Sequence, residues 1–274
     1  MTSSERPLVS VVVPTRNSAS FLRACLQSVR AQDYRPLELI VVDNHSDDGT
    51  LQVASEYADT VESWGPERSA QRNRGIELAA GEYVLWIDSD MVLDPQVLSS
   101  SVDVAIDRGA DAVFVPEHSV GIGFWAACRI LERRCYEGEP MIEAPRLVRR
   151  SFFSQHGGFV AQVAGQEDAE LRMRLRAAGA VMARSTASIE HDEGHVTLRG
   201  VIRKRVYYGA SIPAYAAAQP GAVTAQGAAT VRALAKNWRM LVSEPIHGLG
   251  VLGLRSVEGA AYAYGALRSR RQPR

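Results

Sequence analysis

Two aspartates one residue apart, Asp88 and Asp90, follow the apolar run Tyr83-Val-Leu-Trp-Ile87. A continuous apolar run of that length reads as a central strand, so both acids leave the sheet together at its carboxyl edge. Carboxylates spaced in this way can reach one hard divalent cation. Mg²⁺ and Mn²⁺ take few carboxylates and fill their remaining positions with phosphate oxygens, which suggests a nucleoside diphosphate site. Taken alone the tripeptide is weak, because an Asp-x-Asp turn is more often simply solvated. Two further acidic points stand at equivalent places: Asp43 ends the run Leu37–Val42, and Glu167-Asp168 opens a later helical stretch. In open α/β sheets the ligand sits outside the carboxyl ends of the strands, so each of these acids has a potential ligand to hold.

The elements that must carry these residues follow from the hydrophobic pattern. Short β-branched runs alternate with segments of 3.6-residue period through the first two-thirds of the chain, the signature of a mostly parallel sheet covered by helices. The run Leu8–Val13 is expected to stop at Pro14, with Ser18 capping a helix whose Phe21, Leu22, Cys25, Leu26 and Val29 share a face. Asp43-Asn-His-Ser-Asp-Asp-Gly-Thr50 reads as a loop, followed by a short helix to about Tyr57 and a short strand near Thr60–Val61. Helices are expected over Arg68–Ala80, Pro95–Arg108, Phe124–Tyr136 and Glu167–Ala178. Strands are expected over Ala112–Pro116, Arg146–Arg149, Val181–Ala183 and Ala187–Ile189, the last leading to His191.

Several motifs occur together and in order: Pro14-Thr15-Arg16-Asn17; Val41-Val42-Asp43-Asn44 with Asp47-Asp48-Gly49-Thr50; Gln71-Arg72-Asn73-Arg74-Gly75; Gly81-Glu82-Tyr83 running into Asp88-Ser89-Asp90; then Gly157-Gly158-Phe159 and Gln166-Glu167-Asp168. Over roughly residues 7–195 the chain resembles the family 2 glycosyltransferases of GT-A fold. The resemblance implies a metal-dependent, inverting transfer of a sugar from a UDP-, GDP- or dTDP-sugar to an acceptor hydroxyl. By position it implies that Pro14, Thr15 and Asn17 line the nucleotide, that Asp43 bonds the base, and that Arg72 faces the phosphates. Asp88 would contact ribose or metal, with Ser89 on the donor side. Asp90 would hold Mn²⁺ or Mg²⁺, and Asp168, with Glu167 beside it, would be the catalytic base. The N-terminus of a helix favours the charged form of an acid, which a proton acceptor needs. His191 is a further candidate metal ligand, with His195 as its rival four residues on. After Gly157-Gly158-Phe159 the family pattern has an acidic pair where this chain has Val160-Ala161-Gln162, so acceptor contacts carried there are not transferred.

Charge is divided along the chain. Net charge is zero, yet residues 1–198 hold 19 Lys and Arg against 29 Asp and Glu, while residues 199–274 hold 12 against 2. An acidic body thus carries a basic tail, and with the resemblance the expectation is a catalytic GT-A domain over 1–198 and a basic helical extension over 199–274. Arg203-Lys204-Arg205 with Tyr207-Tyr208, and Lys236 and Arg239 around Trp238, suit an anionic membrane surface, as they would equally suit packing on an acidic body. Nucleic acid is not expected as a partner. Three cysteines with no CxxC pair suggest neither a disulfide framework nor a zinc site. The start lacks the pattern of an export signal, and the apolar stretch Leu249–Leu267 is broken by Arg255 and Glu258. The expectation is therefore a cytoplasmic protein, peripheral at the inner face of the membrane, acting on an acceptor that is lipid-linked or membrane-proximal. Two rival classes remain: a non-catalytic nucleotide- or sugar-binding protein on the same fold, and a Rossmann oxidoreductase. Pro-Thr-Arg-Asn after Val13 cannot form the glycine turn that the second requires.

Overall fold

A computed structural model of the chain describes residues 6–271. The chain divides into two compact units. The first comprises the residues up to Glu117 with Ala144–Ala161 and Leu171–Glu190, and the second comprises His118–Glu143, Gln162–Glu170 and the residues from His191 onward.

The first unit is built on seven strands: β1 (Val9–Thr15), β2 (Leu37–Asp43), β3 (Thr60–Ser63), β4 (Tyr83–Trp86), β6 (Ala112–Phe114), β8 (Pro145–Arg149) and β9 (Met182–Arg184), with β5 (Met91–Leu93) just after β4. Their order is β3-β2-β1-β4-β8-β6-β9, parallel except for β8, which runs against both neighbours. Helices α1 (Ala19–Arg30), α2 (Thr50–Tyr57), α3 (Arg68–Leu78), α4 (Val97–Arg108), α6 (Arg150–Gln155) and most of α7 (Glu167–Ala177) cover it.

Period-two alternation sorts the strands between two apolar layers. Val11, Val13, Leu39, Val41 and Leu85 pack with Leu22, Leu26 and Val29 of α1 and with Leu98 and Val102 of α4. Val12, Ile40, Val42, Val84 and Trp86 pack on the other side with Ile76 of α3, Phe153, Phe159, Leu171 and Leu175. Because β1 and β4 are covered on both faces, their burial is continuous, as the apolar runs require.

Two expectations near the sheet edge change. Strand β1 continues through Pro14 to Thr15, in register with Asp43. Backbone polar groups in a parallel strand alternate between neighbours. Val12 O accepts from Ile87 N on the β4 side and Thr15 O from Asn44 N on the β2 side. Pro14 therefore faces β4 beyond its last residue, where the missing N–H costs no ladder bond. Ser18 stands at the start of α1 without a side-chain cap. Its hydroxyl donates instead to Arg16 O and accepts from Ser89 Oγ, which spends it on the loop.

The second unit contains α5 (Phe124–Tyr136), α8 (Leu198–Gly209), α9 (Ile212–Ala218), α10 (Ala222–Lys236), α11 (Trp238–Ser243) and α12 (Pro245–Arg271). Strands β7 (Glu117–Ile122) and β10 (Ile189–His195) pair with each other. The sequence offers no alternation over β7, and its Glu-His-Ser-Val-Gly-Ile becomes a strand through that pairing. Strand β10 is also longer than the Ala187–Ile189 expected, so His191 lies within it.

Helix α12 buries Val251, Leu254, Glu258 and Ala261, a row at helical spacing that faces α5 and α8. The two charges that interrupt its apolar stretch are counterions. Glu258 Oε1 accepts from Arg129 Nη2 at 2.5 Å and from Arg205 Nε at 2.6 Å, and Arg255 reaches Glu132. Burial alone would raise the Glu258 carboxyl, but the charges of Arg129, Arg205 and Arg255 outweigh it and hold it at about 2. Cys25, Cys128 and Cys135 are all buried and free. Among the described residues no helix is long and apolar enough to cross a membrane.

Candidate functional site

In the first unit the loops after β1 and β2 are tied into one surface. Asp43, fully buried at the end of β2, accepts from Ser46 N at 2.8 Å and from Ser46 Oγ at 2.5 Å. Ser46 Oγ in turn accepts from Asn17 N, and Asn17 Oδ1 accepts from Asp47 N. Asn17 takes a left-handed backbone, φ 48°, a conformation that asparagine tolerates better than most residues. Ser18 N donates to Thr50 Oγ1, and Asp48 accepts from Ala19 N and Thr50 N. Pro14 and Thr15 are buried beside this surface, and the Thr15 hydroxyl has no hydrogen-bond partner among the described residues.

Helix α3 fastens the strand ends from below. Gln71 Nε2 donates to Thr15 O at 2.9 Å and to Val42 O at 2.6 Å, joining β1 to β2. Arg72, wholly shielded from solvent, donates from Nη2 to Asp88 Oδ1 at 2.7 Å, and Arg68 reaches Asp88 Oδ2 at 3.3 Å. The guanidinium of Arg72 also lies over the Phe159 ring, 5.1 Å from its centroid. Asn73 exchanges two bonds with Phe159, accepting from its N–H at 2.8 Å and donating to its carbonyl at 2.9 Å. A Cβ on Gly158 would stand 2.4 Å from Asn73 Oδ1, so a larger residue there must displace the Asn73 amide. Arg174 donates to the carbonyls of Gly157 and Gly158.

The acids after β4 are half-buried, in a turn closed by Met91 N donating to Asp88 O. Cys25 Sγ lies 3.7 Å from the same carbonyl. Burial pushes its thiol well up, with Asp90 and Asp88 adding to the effect, so it is a neutral neighbour of the turn. No group of three or more His, Cys, Asp and Glu side chains able to hold a metal ion occurs among the described residues. Asp88 is engaged by two guanidinium groups, and Asp90 is the second carboxylate of the same turn that could reach a hard cation. A single carboxylate fits Mg²⁺ or Mn²⁺ when a diphosphate supplies further oxygens.

In the second unit Glu167, Asp168 and Glu170 occupy the first turn of α7, with Glu167 buried and Asp168 partly exposed. The turn before them is supported by α8 and by Ser211, which follows it. Ser211 Oγ donates to Ala164 O at 2.7 Å, and Gly165 sits at φ 77° with the Tyr208 ring only 2.4 Å from where a Cβ would be. His191, Glu193 and His195 alternate along β10 and all line one cavity of about 690 Å³, together with Arg129, Arg133, Arg203, Lys204, Arg205, Tyr207 and Tyr208. The two histidines therefore share a face, as a strand period of two dictates.

Sequence reasoning assigned a role to Arg72 and none to its neighbours Gln71 and Asn73. The signal was their polarity on a buried helix face, since Ser69, Gln71 and Arg72 of α3 are all buried. The buried Arg129–Glu258 pair was also missed. It joins residues 129 positions apart, and the i,i+3 pairs within each helix, Arg129 with Glu132 and Arg255 with Glu258, do not signal it.

The family model for glycosyl transferase family 2 matches residues 10–152, just over half of the 274 residues. The chain belongs to that family. It is 34% identical over 110 residues to the putative glycosyltransferase EpsH of Bacillus subtilis, a match covering 38% of this chain and 32% of that one. It is 32% identical over 120 residues to the glycosyltransferase AglE of Haloferax volcanii, 40% of each. The chain thus spans about a third of the length of the first curated relatives it matches. Among solved structures it resembles the mannosyltransferase PcManGT of Pyrobaculum calidifontis in complex with GDP-Man and Mn²⁺, with TM-score 0.62 and 20% identity over 98% of this chain and 88% of that one. It also resembles residues 1–349 of S. aureus TarS in complex with UDP-GlcNAc, with TM-score 0.55 and 21% identity over 74% and 66%. These likenesses define the fold as GT-A.

Proposed function

We propose that this chain is an inverting glycosyltransferase that moves a sugar from a nucleoside-diphosphate sugar to an acceptor hydroxyl. The observation that carries the reading is the polar surface at the carboxyl ends of β1, β2 and β4, where Gln71 and Arg72 of one helix hold the three strand ends and the Asp88 carboxylate in fixed geometry. In this reading Pro14, Thr15, Asn17 and Asp43 hold the nucleoside, and the Thr15 hydroxyl has a hydrogen bond to give it. Asp88 and Ser89 lie on the donor side. Arg72, buried against Asp88, positions that carboxylate rather than reaching the phosphates itself.

Asp168 takes the proton of the acceptor hydroxyl as the new C–O bond forms on the face opposite the departing nucleotide, which inverts the anomer. Glu167 beside it is buried. Asp90 would hold Mn²⁺ or Mg²⁺, which when bound offsets charge on the leaving diphosphate. His191 lines a cavity with five cationic side chains, so a metal contact there needs a diphosphate to balance the charge. The relatives named for UDP-GlcNAc and GDP-Man support a nucleotide-sugar donor without choosing the base.

The acceptor is proposed to be membrane-proximal. Trp238 and Val242 of α11 and Ile246, Leu249 and Leu252 of α12 are exposed, Ile246 and Leu249 each by 72%, and Lys236 and Arg239 lie among them in the basic extension. Apolar groups with adjacent cations suit peripheral attachment to anionic lipid. Sedimentation with anionic and neutral vesicles tests this. Binding should be confined to anionic vesicles and fall between 0.1 M and 1 M salt, as the screening length shrinks from about 10 Å to about 3 Å. Equal or absent binding to both sinks it.

The donor reading is tested by thermal shift with UDP, GDP and dTDP, with and without Mn²⁺, because a ligand of the folded state raises its apparent stability. One nucleotide should stabilise the chain more in the presence of metal. No shift with any of them overturns the assignment.

A further inference from the structure

The two guanidinium groups that engage Asp88 are not equivalent. Oδ1 of Asp88 lies 2.7 Å from Nη2 of Arg72, which is shielded from solvent, while Oδ2 lies 3.3 Å from Nη1 of Arg68, whose side chain is partly exposed. An ion pair open to water is weak and loosely placed, whereas a desolvated one is sensitive to geometry. The inner bond therefore sets where the carboxylate stands. Whatever holds the Arg72 guanidinium in place then acts on Asp88 as well.

Phe159 is placed to do this. The guanidinium lies over the face of its ring, 5.1 Å from the centroid. A cation over an aromatic face is held most firmly where water is excluded, and both side chains are buried. The ring in turn is fixed by contacts that do not involve Arg72. Its backbone exchanges two hydrogen bonds with Asn73, and Arg174 donates to the carbonyls of Gly157 and Gly158 just before it. Trp86 meets the ring at 87° with centroids 5.1 Å apart, and Phe153 lies 5.7 Å away. The indole Nε1 of Trp86 has no hydrogen-bond partner among the described residues, so ring contacts orient Trp86. Phe159 is thus a platform on which Arg72 rests, and its backbone and its ring are fastened separately. All of these residues belong to the first unit.

We infer that Phe159 is a positioning residue for the donor site, keeping Asp88 in place through Arg72. The inference rests on the glycosyltransferase reading, which makes Asp88 a donor-side group, and deepens it. It gives the segment Gly157-Gly158-Phe159 a task on the donor side, directed inward through a side chain that meets no ligand.

The test uses the full chain. Phe159→Met removes the ring and keeps most of its volume, and Phe159→Tyr keeps the ring. Phe153→Met is the control, since Phe153 is an equally buried ring of the same apolar layer that lies against Trp86 and Phe159. Phe159→Leu and Phe153→Leu replace the methionine pair if Phe159→Met does not fold. In calorimetry with UDP and with GDP, each with Mn²⁺, Phe159→Met should bind the parent's preferred nucleotide at least fivefold more weakly. Phe159→Tyr and Phe153→Met should stay within twofold of the parent. Equal losses in the two methionine variants, or none in Phe159→Met, overturn the inference.

Urea unfolding supplies a measurement that needs no nucleotide. Phe159→Met and Asp88→Asn, linked through Arg72, should together cost less stability than the sum of their separate losses, and the two losses should become additive once Arg72→Met is also present. Additivity in the parent background sinks the inference whatever the nucleotide does. A parent chain that binds neither nucleotide, with the losses still less than additive, supports the hold of Phe159 on Asp88 and counts against the donor reading instead.

Discussion

Arg72 Nη2 lies 2.7 Å from Asp88 Oδ1, and the arginine side chain has no exposure to solvent at all. The pair joins the middle of α3 to the residue that leaves β4, so the acidic turn is anchored from inside the protein. Removing one partner of a buried ion pair strands the other, at a cost of about 3–5 kcal/mol. Asp88 keeps some contact with water, so Arg72→Met should cost about 3 kcal/mol, the lower end of that range, and weaken donor binding through the displaced carboxylate. Urea unfolding and nucleotide titration of the variant check both effects. Unchanged stability would mean that the pair contributes nothing net.

Asp90→Ala should leave stability nearly unchanged, because the residue sits in a turn outside the apolar layers. It should remove the Mn²⁺-dependent part of nucleotide affinity. Calorimetry with and without metal reads this directly, and an undiminished metal effect would assign the cation to other residues.

Asp168→Asn preserves size and removes the ability to accept a proton. Turnover should fall by about 10²–10⁴ while donor affinity holds, the scale for loss of one general base. Near-parental turnover would shift the role to another acid, with Glu167 the first to test.

Gly165→Ala places a methyl group against the Tyr208 ring and asks alanine to hold φ 77°. The turn must move, and Asp168 moves with it. The expected result is a reduced kcat with donor affinity intact, partly restored by Tyr208→Leu, which opens space under the turn. A double variant no better than the single one would remove Tyr208 from the explanation.

Glu258 fixes an acid limit for the second unit. Its carboxyl is held at about 2 against an ordinary 4.5, so folding binds it in the ionised form. The stability it contributes is complete above about pH 4.5 and is lost as pH falls towards 2. At about 1.4 kcal/mol per unit this is on the order of 3 kcal/mol. Glu258→Gln should be less stable than the parent at pH 7, and the difference should shrink across that window. A difference independent of pH would show that the charge of Glu258 is not what is lost.

The sheet was readable because continuous apolar runs have few alternatives when turn residues bound them, and Val9–Thr15, Leu37–Asp43 and Tyr83–Trp86 fall within a residue or two of the runs in the sequence. The strand β7 was not readable, since Glu-His-Ser-Val-Gly-Ile has no alternation and is extended only because β10 pairs with it. The positions of the candidate donor residues followed from strand ends, which periodicity locates well. What they touch did not follow. Arg72 on a polar helix reads as a solvated cation or a phosphate ligand, and only the crossing of α3 beneath β1 and β2 turns it inward. Burial of Arg129, Glu132 and Glu258 depends on contacts between residues more than a hundred positions apart, which no local pattern encodes.

The recognisable family motifs end well before the C-terminus, and the family match ends at residue 152, which invites trimming the chain to obtain a smaller catalytic fragment for expression. The bond from Arg129 to Glu258 argues against that economy. A fragment ending before α12 would keep Arg129 and Glu132 on α5 while discarding Glu258 and Arg255, and would uncover Cys128 and Leu131, which now pack with Val251. Such a fragment should aggregate during production.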